Sequence, residues 1–346
     1  MGASAGGLTA LLDIVRGLPS DFPAAVFVAM HMSPDNPGML STLLGRATVL
    51  PAALAEDRQA IERGRIYVAR PDHHLLVKRA YVRVTRGPKE NGFRPAVDPL
   101  FRSAASAYGA RVIGVILSGG LNDGTEGLLR ITEAGGLAIA QDPAEATIPS
   151  MPLSAIQTVE VHSVLRAAAI PEVLSQLIRQ HVADTQAPAA QTEDTAEYGT
   201  ALQHSEPPGP RSPFTCPECG GALWELADGD KLLRFRCHVG HGFTAEVLLA
   251  EQGSKLEGAL WGALRALEEN AALYRRQAER TGSAGLLALS RQYEQNAVEI
   301  EEYATTLRPL LNRTSVQLTP PTPTAPPPDL PQPDLPSIDL AGAPDD

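Results

Sequence analysis

The run Arg111-Val-Ile-Gly-Val-Ile-Leu117, continuing into Ser118-Gly-Gly-Leu-Asn-Asp-Gly124, decides the fold. Its apolar core has the length and continuity of a strand covered on both faces. A glycine-rich turn carrying an aspartate follows, and Thr125 to Ala134 has a helical pattern. Working outward, Gly136 to Ala140 and His162 to Leu165 read as strands, and Pro152 to Thr158 and Pro171 to His181 as helices. Upstream, Asp98 to Tyr108 reads as a helix with Asp98 at the N-cap and proline at its first position. Leu76 to Thr85 alternates like a single strand, Arg65 to Ala69 is another, and Ala24-Ala-Val-Phe-Val-Ala-Met30 is a third of buried type. Leu8 to Leu18 opens the series as a helix. Strands alternating with helices predict an α/β domain, three layers deep, around a mostly parallel sheet.

Composition sets outer bounds. A chain of 346 residues allows about two domains, and 43 % apolar residues can fill a core, while 30 Pro and 30 Gly require substantial linker or tail. A net charge of −11 lacks the basic face of a general nucleic-acid binder. No apolar run reaches the roughly 18 residues of a membrane span, and the first residues lack a signal-peptide pattern. The expected location is the cytoplasm.

Beyond the α/β region the chain changes character. Residues 184–212 are rich in Ala, Thr, Gln, Glu and Pro and read as a linker. All three cysteines then fall within 213–243: Cys216 and Cys219 are spaced C-x2-C, 17 residues follow, and Cys237 leads His241 by four positions. Three thiolates and an imidazole at this spacing predict a structural Zn2+ site of zinc-ribbon type. His238 competes with His241 for the fourth place, but adjacent Cys–His ligation strains the chain. Residues 244–312 carry two helical runs, Leu256, Leu260, Leu264, Leu267, Ala271, Tyr274 and Leu286, Leu289, Tyr293, Ala297, Ile300, Tyr303, Leu307, joined by Thr281 to Gly285. They predict an antiparallel helical hairpin with a surface for self-association. Residues 313–346, rich in Pro and Asp, read as a disordered tail.

Three turns offer groups for acyl transfer. Met1-Gly-Ala-Ser-Ala-Gly-Gly7 sets Ser4 among small residues directly before a helix. His31 closes the strand ending at Met30, and Asp123 sits in the turn after Leu117. A serine hydroxyl needs an imidazole to take its proton, and the imidazole needs a carboxylate to fix its tautomer. The order Ser, His, Asp differs from the common hydrolase types, but geometry and not order defines such a triad. The glycines near Ser4 lack the G-x-G-x-x-G spacing of a dinucleotide loop. His73 and His74, beside a Pro-Asp turn, read as solvated turn residues, and Arg94 and Asp98 as a cap and pins for the helix at 99–108.

Five motifs occur in one order: Gly2-Ala-Ser-Ala-Gly-Gly7, His31-Met-Ser-Pro34, Arg94-Pro-Ala-Val-Asp98 with Leu100-Phe-Arg-Ser-Ala-Ala105, Leu117-Ser-Gly-Gly-Leu-Asn-Asp-Gly124, and Gln141-Asp-Pro143 with Met151-Pro152. That order resembles the catalytic domain of CheB-type chemotaxis methylesterases over residues 1–183. The resemblance implies Ser4 as nucleophile, His31 as general base and Asp123 as its orienting carboxylate, with one of His73 and His74 as a cleft residue. It also implies hydrolysis of glutamate γ-methyl esters, and in some members deamidation of glutamines, on methyl-accepting chemotaxis receptors or similar helical signalling proteins, without a catalytic cofactor. The alternative is a non-enzymatic adaptor whose degenerate esterase domain docks partner helices. Two departures stand out. The family turn runs closer to T-G-M-G-x-D-G, so Gly120 replaces methionine and Leu121 replaces glycine. The family also places a strand before the G-A-S turn, where this sequence has no residues for one; the expectation is a start further upstream, the other choice being a sheet without its central strand. With no receiver domain in the sequence, activation by phosphorylation within the chain is not expected.

Overall fold

A computed structural model describes residues 1–184, 209–226 and 232–317. In chain order the first unit contains β1 (Gly2–Ala3), α1 (Gly7–Gly17), β2 (Val26–Met30), α2 (Met39–Ala47), β3 (Ala52–Leu54), β4 (Ile66–Val68), β5 (His74–Lys78), β6 (Tyr81–Thr85), α3 (Val97–Tyr108), β7 (Ile113–Ile116), α4 (Thr125–Glu133), β8 (Leu137–Gln141), α5 (Ser150–Thr158), β9 (Ser163–Leu165) and α6 (Ile170–Asp184). Seven strands form one sheet in the order β3-β4-β2-β1-β7-β8-β9, and every neighbouring pair is parallel. Helices cover both faces, which gives the expected three layers. Ala10, Leu11, Ile14 and Val15 of α1 pack with Leu40 and Leu44 of α2 and Ile170 and Leu174 of α6 on one face. On the other, Leu100 and Phe101 of α3 meet Leu128 and Ile131 of α4 and Met151 and Ile156 of α5.

The strand 111–117 owes its continuous apolar character to this placement. Val115 and Leu117 point into the first layer while Ile116 points into the second. Gly114 gives α4 room to approach: a Cβ there would lie 2.4 Å from Leu128 Cδ1.

The central place of the sheet is filled. Gly2 pairs with Ala29 on one side and Ile116 on the other, and Ala3 pairs with Met30. The ladder runs on as Ser4 N–H donates to Ser118 O at 2.9 Å and His31 N–H to Ala3 O at 3.1 Å. A two-residue strand therefore stands where the sequence reading allowed for a sheet with none.

Other expectations need correction. Residues 76–85 are not one strand but the hairpin β5–β6, which turns through Ala80 at φ 67°. Its turn holds no Gly, Pro, Asn or Asp, so alternation reads straight through it. Asp98 is not the N-cap of α3; Ala96 is, and Asp98 is buried in the first turn, where it accepts from Gly127 N–H at 2.8 Å. The helix α2 and strand β3 had no strong sequence signal.

The second unit opens with β10 (Arg211–Thr215), β11 (Ala222–Leu226), β12 (Arg234–Cys237) and β13 (Gly242–Thr244), an antiparallel four-stranded sheet. β10 starts inside the stretch read as linker; of that stretch, 185–208 lies outside the described residues. Then come α7 (Ala245–Ser283) and α8 (Leu287–Gln317). They run antiparallel, with Arg275 paired to Glu301 and Arg308 to Glu268. The buried seam is Leu264, Ala271 and Ala278 against Ala297, Ala304 and Leu311, spaced by sevens. Leu256, Leu286, Leu289 and Tyr303, which the sequence reading put on the apolar faces, stay exposed. α8 extends past 312, and the rest of the expected tail, from 318, lies outside the described residues. None of the described helices is long and apolar enough to cross a membrane.

Candidate active site

The strand order reverses direction at β1, with β2 on one side and β7 on the other. Open α/β sheets collect their ligands at such a switch point, outside the carboxyl ends of the strands. Ser4 follows β1, His31 follows β2 and Asp123 follows β7, so the topology delivers all three to one crevice. Gly6, at φ 77°, turns the chain from Ser4 into α1. Gly119 lets the β7–α4 loop pass under the serine, since a Cβ there would lie 2.7 Å from Ser4 Cβ.

His31 Nδ1 lies 3.0 Å from Ser4 Oγ and Nε2 lies 2.6 Å from Asp123 Oδ2. A carboxylate only accepts, so Nε2 carries the proton and the Nδ1 lone pair faces the serine hydroxyl. The ring is turned round relative to the chymotrypsin arrangement, in which Nε2 meets the serine, yet the division of roles is the same. Phe93 stacks on the imidazole at 3.8 Å between centroids and 7° between planes, which fixes the ring from its side. The side chains of His31 and Asp123 are 4 % and 2 % exposed.

Asp123 is held by more than His31. Val97 N–H donates to Oδ2 at 2.6 Å, Asn91 Nδ2 to Oδ1 at 2.9 Å and Asp98 N–H to Oδ1 at 3.3 Å. Burial alone would raise its pKa, but the hydrogen bond and charge of His31 and the donors from Val97 and Asn91 prevail and lower it to about 2. Asp98 goes the other way, well above the ordinary range, because burial and the charges of Asp123 and Glu126 disfavour its ionised form. Two close carboxyls are thus driven apart in acidity, and Asp123 is the one that stays ionised.

The crevice encloses about 650 Å³ and is lined by Ser4, His31, Met32, Phe93 and Arg94 among others. Arg94 is held by Asp72 and donates to Gly87 O at 2.6 Å, so it ties the loops beside the crevice and does not pin the helix at 99–108 as the sequence reading had it. Neither His73 nor His74 lines the crevice. His74 is not a solvated turn residue either: it opens β5, is buried, contacts Pro88 O through Nε2 at 2.9 Å and accepts from Ala96 N–H through Nδ1. Sequence reasoning missed Phe93 and Asn91; the pair Asn91-Gly92 signals only a turn, and both residues have positive φ.

A second cluster lies in the C-terminal unit. Donor atoms of Cys216, Cys219, Cys237 and His241 all fall within 4.8 Å of one another. Cys219 Sγ is 3.7 Å from Cys237 Sγ, and His241 Nδ1 is 3.7 Å from Cys216 Sγ and 3.5 Å from Cys237 Sγ. A tetrahedron with Zn–S near 2.3 Å and Zn–N near 2.0 Å has edges of about 3.5–3.8 Å. The donor set is thus compatible with a structural metal site.

Comparison with known proteins places the first unit. The CheB methylesterase family matches residues 1–174, which contain Ser4, His31 and Asp123. The chain belongs to the CheB methylesterase family. A putative protein-glutamate methylesterase/protein-glutamine glutaminase from Leptospira interrogans is 36 % identical over 178 residues, 51 % of this chain and 92 % of that protein. An Anaeromyxobacter dehalogenans protein-glutamate methylesterase/protein-glutamine glutaminase is 38 % identical over 179 residues, 52 % of each chain. The crystal structure of the Thermotoga maritima CheB methylesterase catalytic domain is 36 % identical with a TM-score of 0.50, covering 51 % of this chain and 95 % of that one. The cysteine cluster lies outside the matched family region.

Proposed function

We propose that this CheB-family methylesterase removes methyl groups from glutamate γ-methyl esters on methyl-accepting chemotaxis receptors, using Ser4, His31 and Asp123. The observation that carries this is the unbroken chain from Ser4 Oγ through the His31 ring to an ionised Asp123, open to a crevice at the switch point of the sheet. His31 Nδ1 takes the hydroxyl proton as Ser4 Oγ bonds to the ester carbonyl carbon. The carbonyl electrons move onto its oxygen, which backbone N–H groups of the turn after Ser4 stabilise. As the tetrahedral species collapses, the bond to the methoxy group breaks, His31 returns the proton and methanol leaves. Water then repeats the sequence on the glutamyl-enzyme, freeing glutamate and Ser4. Ammonia in place of methanol gives the deamidation of glutamine, a second reading favoured only by the names of the relatives.

The same groups support an enzyme over a degenerate adaptor, since nothing in the triad is missing. Incubation of methyl-labelled receptor with wild type should release methanol, and Ser4→Ala should not. A Ser4→Ala protein at full rate would overturn the assignment.

The reading extends to the C-terminal unit, where Cys216, Cys219, Cys237 and His241 would hold Zn2+. Four protein donors close the coordination shell, so the ion would serve folding and leave catalysis to the triad. The Nδ1 distances favour His241 over His238 as the fourth ligand.

A further inference from the structure

The loops that carry the triad's supports are bound to the C-terminal unit. Asn91 uses both ends of its amide: Nδ2 donates to Asp123 and to Asp98, while Oδ1 accepts from Thr244 N–H at 3.1 Å. Its backbone N–H donates to Gly242 O at 2.8 Å, and Gly242 N–H donates to Lys89 O at 3.3 Å. Asn122, next to Asp123, is gripped from the same side: Thr244 Oγ1 donates to its Oδ1 at 2.7 Å, and its Nδ2 donates to Glu246 at 2.5 Å. Leu121 packs into the apolar core formed by Leu223, Phe235, Phe243, Val247 and Leu248. It does so at φ 60°, a left-handed conformation that a leucine adopts at a cost. Phe93, the residue stacked on His31, lies two positions beyond Asn91 on the same loop.

Buried charge seals this contact. Arg102 bridges Glu90 and Glu126, and Arg234 of β12 reaches Glu126 at 2.9 Å. Among the described residues, those lining the crevice fall between positions 4 and 94, and the C-terminal unit touches that lining from outside, through Glu218 paired with Lys89 and Glu251 beside Gly92.

We propose that the C-terminal unit is a positioning element for the triad: Thr244 orients Asn91 through its backbone N–H and Asn122 through its hydroxyl, Asn91 donates to Asp123, and Asn122 fixes the backbone next to it, so that Asp123 stays in register with His31. The proposal rests on the esterase reading of Ser4, His31 and Asp123. Asn91 and Thr244 are positioning residues, because neither faces the reacting atoms.

The test uses the full chain and two readouts. One is the rate at which a fluorophosphonate labels Ser4. The other is the downfield proton resonance of His31 Nε2–H bonded to Asp123, which a merely stabilising role would not move. Asn91→Gly keeps the left-handed backbone and deletes the amide; Thr244→Val keeps the branched shape and deletes the hydroxyl; Thr244→Ser restores it. Asn91→Gly and Thr244→Val should slow labelling by about 10- to 100-fold and shift or broaden the resonance, as a misplaced catalytic group does. Thr244→Ser should match wild type in both. Removing metal with a chelator should disturb the resonance as Asn91→Gly does, and Zn2+ should restore it. Wild-type labelling and an unmoved resonance in folded Asn91→Gly or Thr244→Val protein would overturn the proposal, as would absence of the resonance from wild type. If wild type takes no label and cleaves no ester, the esterase reading fails on its own, and the resonance still reports whether Asn91 and Thr244 orient Asp123.

Discussion

The two units hold themselves together by different means. The first has a seven-stranded sheet with an apolar layer on each face. Among the described residues, the small sheet of the second and the start of α7 share a core of seven buried residues, two of them the cysteines Cys216 and Cys237. An apolar core of that size cannot offset the chain entropy of ordering the strands, so a small domain of this kind needs a staple. The comparison teaches that the unit richer in core residues still has the loops beside Asp123 tied by hydrogen bonds to the poorer one.

The largest expected effect falls on the poorer unit. Structural zinc contributes on the order of 10–16 kcal/mol of apparent binding free energy in small modules. Chelation, or Cys237→Ser, should therefore unfold β10–β13 while the seven-stranded sheet keeps its own unfolding transition. Calorimetry with metal analysis checks this; a metal-free protein with an intact single transition would remove the distinction between the units.

Next in size is chemistry confined to the first unit. Ser4→Ala should lower kcat/KM on a methyl ester by about 10⁵- to 10⁶-fold, as removal of a nucleophile does elsewhere. Asp123→Asn should cost about 10⁴-fold, the magnitude known for the equivalent chymotrypsin-type change, because an amide can hold the wrong imidazole tautomer. Thermal midpoints of the Ser4 variant should stay near wild type, since Ser4 is only partly buried. A matching fall in stability would mean that folding and not chemistry had been lost.

A smaller effect should follow acid. Glu90 is buried, which alone would raise its pKa, but Arg102 and Arg236 lower it to about 2 from 4.5. Glu126 is lowered in the same way by Arg102 and Arg234. A carboxylate depressed in the folded state gives stability that is fully present above its unfolded pKa and is lost as pH falls towards the folded one. The junction between the units should thus loosen between about pH 4.5 and 2. His74, whose pKa is lowered chiefly by burial, adds an earlier loss, beginning as pH falls below 6.5. Thermal midpoints measured from pH 7 to 3 should decline in two stages. In Arg102→Gln the second stage should be shallower, and an unchanged slope would break the link to Glu90 and Glu126.

Much of this was legible in advance because it follows from patterns with one dominant cause. The strand 111–117 is apolar on both faces because both are covered. Ser4, His31 and Asp123 stand at strand ends, where a parallel sheet must gather them. Cysteine spacing alone brought Cys216, Cys219, Cys237 and His241 together. What stayed hidden depends on long-range partners. Asn91 reads as a turn residue, and only the folded chain shows its amide between Asp123 and Thr244, 153 positions from the latter. Asp98 reads as a helix cap, yet its buried carboxyl serves Gly127 and Asn91. The β5–β6 turn at Ala80 is made by packing of Leu75, Val77 and Val82 on α3, with no local residue to announce it.

The smallest effect is also the sharpest discriminator. Leu121 sits at φ 60° and packs on the core of the second unit. Leu121→Gly relieves the left-handed strain, worth about 1–2 kcal/mol, loosens the unfolded chain and removes the packing. In the intact protein these contributions nearly cancel. Strain relief and unfolded-chain entropy belong to the first unit and are the same whether or not the second is folded. The packing exists only when it is. A double-mutant cycle between Leu121→Gly and Cys237→Ser, read by urea unfolding of the seven-stranded sheet, therefore subtracts the common parts and leaves the contact, on the order of 1 kcal/mol for a partly buried leucine. With the second unit unfolded, Leu121→Gly should stabilise the sheet more, or destabilise it less, than with that unit in place. Equal shifts in both backgrounds would mean that the left-handed leucine takes nothing from its neighbour, and that the two units fold side by side without sharing the active-site loop.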